Sequence, residues 1–528
     1  MTLSRPTTLA TNGMVATPHY LASAAGLRIL ERGGSAMDAV IAANAVLTVI
    51  YPDQTAIGGD CFFIVHDAAT GTQTAYNGSG PAPAAADSAI LREQGYEAIP
   101  AKGGHAVTVP GTIDAWFAGY ERYGRLTMPE LLESAIGFAR DGYPVSARLA
   151  AVFQRDTELI WGWPGLASLF FQNGRIPTAG ERLALPQLAA SLTRIAQEGR
   201  DAFYTGDIAA AIARSVANAG GPMTEDDLAS HRGEWVEPTR ITYHGVEVLT
   251  VPPNSQGMTT QMALRMIEDV DLGQTWGAPD HVHPLVEAGK RAYAVRNAVL
   301  ADPRFVDIDV PGLLSDAAIR RLWADYDPQV ASAGPYALEG DTVYLCAVDR
   351  DGNAVSLIQS LFSNFGSCVV AEGTGIILQN RGSYFSLAEG HPNELMGGKR
   401  TLHTLIPNML LREGRLWGPI GTQGGDPQAQ INLQTMTNVI DFGMEPQAAI
   451  EASRWISGGR GQSPYRLLLE SGFPEATPAL LGARGHEITL IGPWNPDAGH
   501  AQMILVDEAR GVLMGGADPR ADGSADGY

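Results

Sequence analysis

Gly424 and Gly425, in the stretch "GTQGGDPQAQI", are residues whose types and spacing could do chemistry. Asp426 after them is a good helix N-cap, and Pro427 suits the first helical position. The pattern predicts a strand end, a glycine turn and a helix start. Unpaired backbone N–H groups and the positive helix end then point at whatever lies above. Oxyanion holes for acyl transfer are commonly built this way, although an ordinary glycine-rich turn has the same pattern. A second feature is Thr342, placed at a strand start directly behind Gly340 and Asp341 in "EGDTVYLCAVDRDGNAVSLIQSL". "TVYLCAV" and "AVSLIQSL" are β-rich runs, and Asp351-Gly352 between them is a strong hairpin signal.

Other common chemistries are excluded cheaply. The only lysines are Lys102, Lys290 and Lys399, and none precedes Ser or Thr, so a GxxxxGK[ST] phosphate loop is absent. GxSxG, HExxH and a GxGxxG after a strand are absent too. His281 and His283 in "PDHVHP" resemble a metal pair, but no further ligand is spaced to complete a site. They read as a helix N-terminal segment with partly exposed imidazoles, so no metal and no other cofactor is expected. The net charge of −21 argues against nucleic acid or an anionic membrane as partner, while a local basic cluster could still accept a small anion. Cys61, Cys346 and Cys368 are odd in number and form no CxxC, which suits buried thiols in a reducing cytoplasm. The N-terminal stretch has no apolar leader core, and "AVIAANAVLTVI" is too short to span a bilayer, so it reads as a core helix.

The elements that must position these residues alternate in blocks. "YLASAAGLRILERGG" and the segment after Ser35 predict two helices, the second running through Ile50. "CFFIVHDAATGTQTAYNG" predicts a hairpin, and residues from about 111 to 238 have mainly helical periodicity. Strands "ITYHGVEVLTV", a long helix from about His283 to Ala301 and a loose segment "ASAGPYALEGD" lead to Thr342. Beyond "GTQGGD" come a helix through about Val439 and a closing hairpin "AQMILVDEARGVLMGG". This order predicts an α+β layered fold rather than βαβ units.

Three segments together resemble one family, the γ-glutamyltranspeptidases. "GMVATPHYLASAAGLRILERGGSAMDAVIAANAVLTVIYPDQTAIGGDCFFIVHD" is similar to its N-terminal signature and "GDTVYLCAVDRDGNAVSLIQSLFSNFGSCVV" to its processing junction. "GKRTLHTLIPNMLL" with "GPIGTQGGDPQAQINLQTMTNVIDFG" is similar to its substrate and oxyanion region, and the likeness covers nearly the whole chain. The resemblance implies a four-layer αββα sandwich of the N-terminal-nucleophile hydrolase type, made as one inactive zymogen. It implies autocatalytic cleavage between Asp341 and Thr342, giving a large chain of residues 1–341 and a small chain of residues 342–528. The two would remain one intertwined catalytic heterodimer that can pair further. Thr342 would be the nucleophile, and its freed α-amine, with a reference pKa of about 7.7–8.0, the base. Ser360 would support its hydrogen bonding, and the N–H groups of Gly424 and Gly425 would hold the oxyanion.

The departures from the family pattern bear on substrate. The γ-glutamyl members hold an α-carboxylate with an arginine near the segment matching "YNGSGPAPAAAD", yet Asn77 to Pro83 contains no basic residue. Phe362, Tyr384 and the pair His403-Thr404 stand where those members have an Asn, an acidic residue and Ser-Ser. Arg381 in "LQNRGSYFS" remains, and a guanidinium can clamp a carboxylate bidentately. The expected substrate is therefore a short anionic amide, bound by Arg381, His403 and Thr404 beneath Phe362 and Tyr384. The alternatives are an acylase or γ-glutamyl transferase with a larger donor, and a binding protein on this fold that has lost catalysis.

Overall fold

Period-two alternation along the strands sends their residues into two different cores, and that division creates the layers. The computed structural model describes residues 5–172, 174–335, 340–459 and 461–528, with the side chain of Asp341 left out. The expected loose segment before Thr342 therefore lies partly outside the described residues. The strands of the two large sheets are β1 (Thr8–Ala10), β2 (Met14–Thr17), β3 (Asp60–Asp67), β4 (Thr72–Asn77), β5 (Glu234–Val236), β6 (Thr239–Tyr243) and β7 (Val246–Thr250). They continue with β8 (Asp341–Val348), β9 (Ala354–Phe362), β10 (Asn408–Arg412), β11 (Arg415–Thr422), β12 (Ala501–Asp507), β13 (Val512–Ala517) and β14 (Ser524–Gly527). Two seven-stranded antiparallel sheets result, ordered β14-β2-β8-β9-β3-β4-β5 and β1-β13-β12-β11-β10-β7-β6.

One face of the first sheet, with Val343, Leu345, Val355, Leu357, Phe63 and Val65, packs on helices α1 (Tyr20–Glu31) and α2 (Ala36–Ile50), in a core that also takes in α3 (Met128–Asp141), α4 (Pro186–Glu198) and α5 (Gly206–Asn218). Its other face, with Tyr344, Cys346, Ile358, Phe62 and Ile64, meets Leu249, Met409, Leu411 and Ile504 of the second sheet. The outer face of the second sheet packs on α6 (Gly257–Ile267) and α8 (Gln428–Ile440), with α7 (Pro279–Val299) laid over both. The architecture is αββα, as the family resemblance implied. Each fully buried aliphatic or aromatic side chain in these layers contributes about 1.5–3 kcal/mol, so the strands that carry the site are held from both faces.

Helix α2 shows how local sequence sets an element. Ser35 Oγ accepts from Asp38 N at 3.1 Å while the Asp38 carboxylate accepts from Ser35 N at 3.0 Å, a reciprocal cap that fixes the start. Every residue of α2 is buried, as expected for a helix apolar on all sides. Among the described residues no helix is long and apolar enough to cross a membrane.

Candidate active site

Thr342 is the second residue of β8 and is buried. Alternation puts its side chain on the same face as Tyr344 and Cys346, the face between the sheets. The β8–β9 register slips here: Asp341 pairs with Phe362 but Val343 with Gln359. The extra residue on β9 is a bulge, a device that re-aims side chains beside functional sites. Phe362, at its end, has a φ of 81°, an uncommon conformation for an aromatic residue. Within this bulge Thr342 Oγ1 donates to Ser360 Oγ at 3.2 Å, and Ser360 Oγ accepts from Phe362 N at 2.7 Å. Gln428 Nε2, at the start of α8, donates to Thr342 Oγ1 at 3.3 Å.

The glycine pair arrives from the second sheet. β11 ends at Thr422, Gly424 and Gly425 have φ values of 141° and 60°, and α8 begins at Gln428. A Cβ on Gly425 would lie 2.5 Å from Gly340 N and 2.7 Å from Gly340 Cα. Only glycine therefore lets this loop touch the backbone just ahead of Thr342. The N-cap expected at Asp426 is not made: Pro427 caps α8 without a side-chain bond. The Asp426 carboxylate instead accepts from Arg296 Nη1 at 2.5 Å and from the Tyr384 hydroxyl. A buried guanidinium outcompetes a helix-end N–H for the carboxylate, because a buried charge needs a counter-charge.

Arg381 opens a 3-10 turn, Arg381–Tyr384, and is fully buried. Its Nη1 donates to Thr404 Oγ1 at 3.0 Å, whereas Nε and Nη2 have no hydrogen-bond partner among the described residues. The guanidinium carbon lies 4.4 Å from the centre of the Phe362 ring, which itself packs 4.9 Å from the Tyr384 ring. Burial lowers the Arg381 pKa to about 10, against the attraction of Asp60, Tyr384 and Asp426, so the group stays charged at neutral pH. Unpaired donor nitrogens on a buried cation are costly.

Asp60 completes the cluster. It pairs with Ser360 across the β9–β3 ladder, so its side chain shares that face. Its Oδ1 accepts from Gln379 Nε2 at 2.9 Å and Gly80 N at 3.1 Å, and its Oδ2 from His403 Nε2 at 3.1 Å. Burial pushes the Asp60 carboxyl up to about 7 despite these donors and despite Arg381 and Arg400 nearby. Burial, and then the Arg381 and Arg400 charges, hold His403 well below the usual imidazole range. Neutral His403 thus donates from Nε2 to Asp60 and accepts at Nδ1 from Leu405 N at 3.4 Å.

The comparisons with known proteins decide the lineage. The family profile described as Gamma-glutamyltranspeptidase matches residues 22–528. The chain belongs to the γ-glutamyltranspeptidase family. A glutathione hydrolase-like YwrD proenzyme from Bacillus subtilis is 43% identical over 98% of this chain and 99% of the relative. An oxamate amidohydrolase proenzyme from Klebsiella pneumoniae is 37% identical over 98% of this chain and 99% of the relative. The crystal structure of a cephalosporin acylase from Bacillus halodurans superposes with a TM-score of 0.94 at 37% identity, covering 100% of this chain and 98% of that one. As a γ-glutamyltranspeptidase-family protein with the αββα fold, the chain is an enzyme of the amidohydrolase class.

Within this family member, Thr342, Ser360, Phe362, Arg381, Tyr384, His403, Thr404 and the glycine pair fall in one region, whereas the histidines of "PDHVHP" lie elsewhere. His281 and His283 are buried, not partly exposed. His281 Nδ1 accepts from Gly277 N at 2.9 Å, and His283 Nδ1 lies 2.8 Å from His486 Nε2. His283, Glu287 and His486 bring potential ligand atoms within 4.8 Å of one another. Glu287, however, is bound by Lys290 Nζ and Arg291 Nη1, each at 2.8 Å, so two cations already neutralise the carboxylate a metal would need. Sequence reading missed Asp60, Gln379 and Gln428. For Asp60 a signal existed, since "DCFFIVHD" alternates and puts Asp60 on the face of Phe62 and Ile64.

Proposed function

We propose that this protein is a self-processing threonine amidohydrolase for a small carboxylate-bearing amide, with oxamate, converted to oxalate and ammonia, as the best fit. The observation that carries the reading is Arg381, a buried guanidinium with two unpaired donor nitrogens in the cluster of Thr342 and Ser360. In self-cleavage Thr342 Oγ1 attacks the Asp341 carbonyl carbon, the C–N bond breaks, and the nitrogen of Thr342 takes the hydroxyl proton. Water then hydrolyses the ester, releasing the Asp341 carboxyl and restoring the Thr342 hydroxyl beside a free α-amine. In turnover that amine, with a pKa near 7.7–8.0 by reference, accepts the hydroxyl proton as Oγ1 attacks the substrate amide. The N–H groups of Gly424 and Gly425 hold the oxyanion, ammonia leaves with the proton, and water cleaves the acyl ester.

Arg381 clamps the substrate carboxylate, with His403 and Thr404 behind it. Phe362 and Tyr384 shorten the pocket, so a carboxylate directly beside the scissile amide fits better than a long acyl chain. A second reading, an acylase with a larger acyl donor, is favoured by the full-length likeness to the cephalosporin acylase. Three free, buried cysteines suit a reducing cytoplasm. Two tests decide. Thr342→Ala protein should remain a single 55.9 kDa band on a denaturing gel and release no ammonia; cleavage at this junction in the variant refutes self-processing. Ammonia release from oxamate, glutamine and glutaryl amides, assayed side by side, should favour oxamate; turnover of glutaryl amides alone overturns the substrate assignment.

A further inference from the structure

Gln428 is buried at the first position of α8, and its side-chain amide has a fixed orientation. Its Oε1 accepts from Ile406 N at 3.2 Å, and a backbone N–H can only donate. The oxygen is therefore assigned by its partner, and Nε2 is the end that faces Thr342 Oγ1 at 3.3 Å. The same hydroxyl donates its single proton toward Ser360 Oγ at 3.2 Å. A hydroxyl offers one donor and two lone pairs, so Ser360 takes the proton side and Gln428 one lone-pair side. The anchor at Ile406 lies two residues beyond Thr404, on the strand connection that also carries His403. The helix start and the substrate-facing segment thus hold one amide rigidly against the nucleophile.

We propose that Gln428 is a further catalytic residue, whose Nε2–H donates to Thr342 Oγ1 and stabilises the charge that this oxygen gains when it is expelled from an ester. Two ester cleavages use it, the one that completes self-cleavage and the one that completes each turnover. In both, water adds to the acyl carbon, the bond from that carbon to Oγ1 breaks with its electron pair staying on Oγ1, and a proton from the water neutralises it. A donor already in place meets the developing alkoxide without reorganisation. This inference rests on the self-processing reading of Thr342, and its test reads self-cleavage directly, independent of which amide is the substrate.

The experiment compares the full-length wild type with Gln428→Glu and Gln428→Met, following conversion of precursor to two chains on denaturing gels from about pH 5 to pH 8. Folding is controlled by introducing each substitution into the Thr342→Ala chain and measuring its thermal midpoint. Gln428→Glu keeps the shape and the acceptor for Ile406 but turns the donor into an acceptor once ionised. Its conversion should be slower than wild type by about a hundredfold or more at the alkaline end, in the range seen when a single oxyanion donor is lost. Acidification should restore it relative to wild type, because a protonated carboxyl donates again, while Gln428→Met stays slow throughout. A structural role would not produce that pH rescue. Conversion of both variants within twofold of wild type, or an equal slowing of Gln428→Glu at every pH, overturns the inference. Failure of the wild type itself to divide refutes instead the self-processing reading.

Discussion

Replacing Arg381 by Met removes the charge while keeping most of the apolar stem, and two opposite effects should follow. In the free protein the guanidinium is buried with Nε and Nη2 unpaired, and burial drops its pKa from 12.5 to about 10. At about 1.4 kcal/mol per pKa unit, the fold disfavours this charge by roughly 3 kcal/mol. The variant should therefore melt slightly higher than wild type, by about a degree or two for a chain of this size, as expected where a strained site limits stability. Activity should move the other way. Two charge-assisted hydrogen bonds of about 1.5–3 kcal/mol each, partly offset by residual solvation of the substrate, suggest a loss of roughly 3 kcal/mol. That corresponds to about a hundredfold or more in kcat/KM, carried mainly by KM, for an anionic amide. A neutral amide of the same size should lose far less. The assay is ammonia release from the matched pair, with thermal melts taken with and without a small dicarboxylate, which should stabilise wild type only. An unchanged KM for the anionic amide, or a lower melting point together with equal losses on both substrates, would refute the anion-site argument.

Other expectations concern the rest of the cluster. Asp60, with its pKa pushed up to about 7 by burial, should lose its proton as pH rises through neutrality and then oppose a substrate carboxylate at Arg381. KM for an anionic amide should rise by about tenfold above that point, taking one charge–charge contact at an effective dielectric of about 20 and separation beyond contact, and Asp60→Asn should flatten the profile. The same group makes stability pH-dependent. Its folded pKa exceeds the ordinary carboxyl value of 3.8, so its contribution is complete below 3.8 and is lost as pH rises to about 7; chemical denaturation of Asp60→Asn should show a shallower pH dependence. Gly425→Ala puts a methyl 2.5 Å from Gly340 N, so precursor should accumulate uncut in a time course on gels. Normal maturation of this variant would mean that the loop yields.

How much of this was legible in the sequence depends on how far each contact reaches along the chain. The layers, α2 with its Ser35 cap, and the hairpin behind Thr342 follow from local periodicity and turn residues, and they stand as expected. Thr342, Ser360 and the glycine pair were legible because a family motif marks them; alternation alone would not separate Ser360 from any strand serine. Asp60 was legible only as an inward-facing strand residue, because its meaning comes from a partner 300 positions away, across the ladder at Ser360. Gln428 was hidden because a glutamine at a helix start looks like solvent-facing polarity until Ile406 fixes its orientation. Asp426 misled local reasoning, since the tendency to cap a helix is weaker than the pull of Arg296, supplied by a distant helix. The imidazoles of His281 and His283 misled in the same way, because α7 packs them against Phe442 and His486, which lie far along the chain.

The order of strands has a consequence for the divided molecule. In the first sheet β14, β8 and β9 come from beyond the proposed cut, and β2, β3, β4 and β5 from before it; in the second, β13 to β10 lie between β1 and β7. Neither product can leave without tearing both sheets open, so the pair has no ordinary dissociation equilibrium, and dilution should not part it. The reverse also holds. While the backbone is continuous, closing the loop between the halves costs only a modest, slowly growing entropy. Once the bond before Thr342 is gone, an unfolded molecule must find its other half by diffusion. Cleavage there would turn a foldable chain into an object that is assembled once, with a lifetime set by the barrier to opening and no longer by a folding equilibrium.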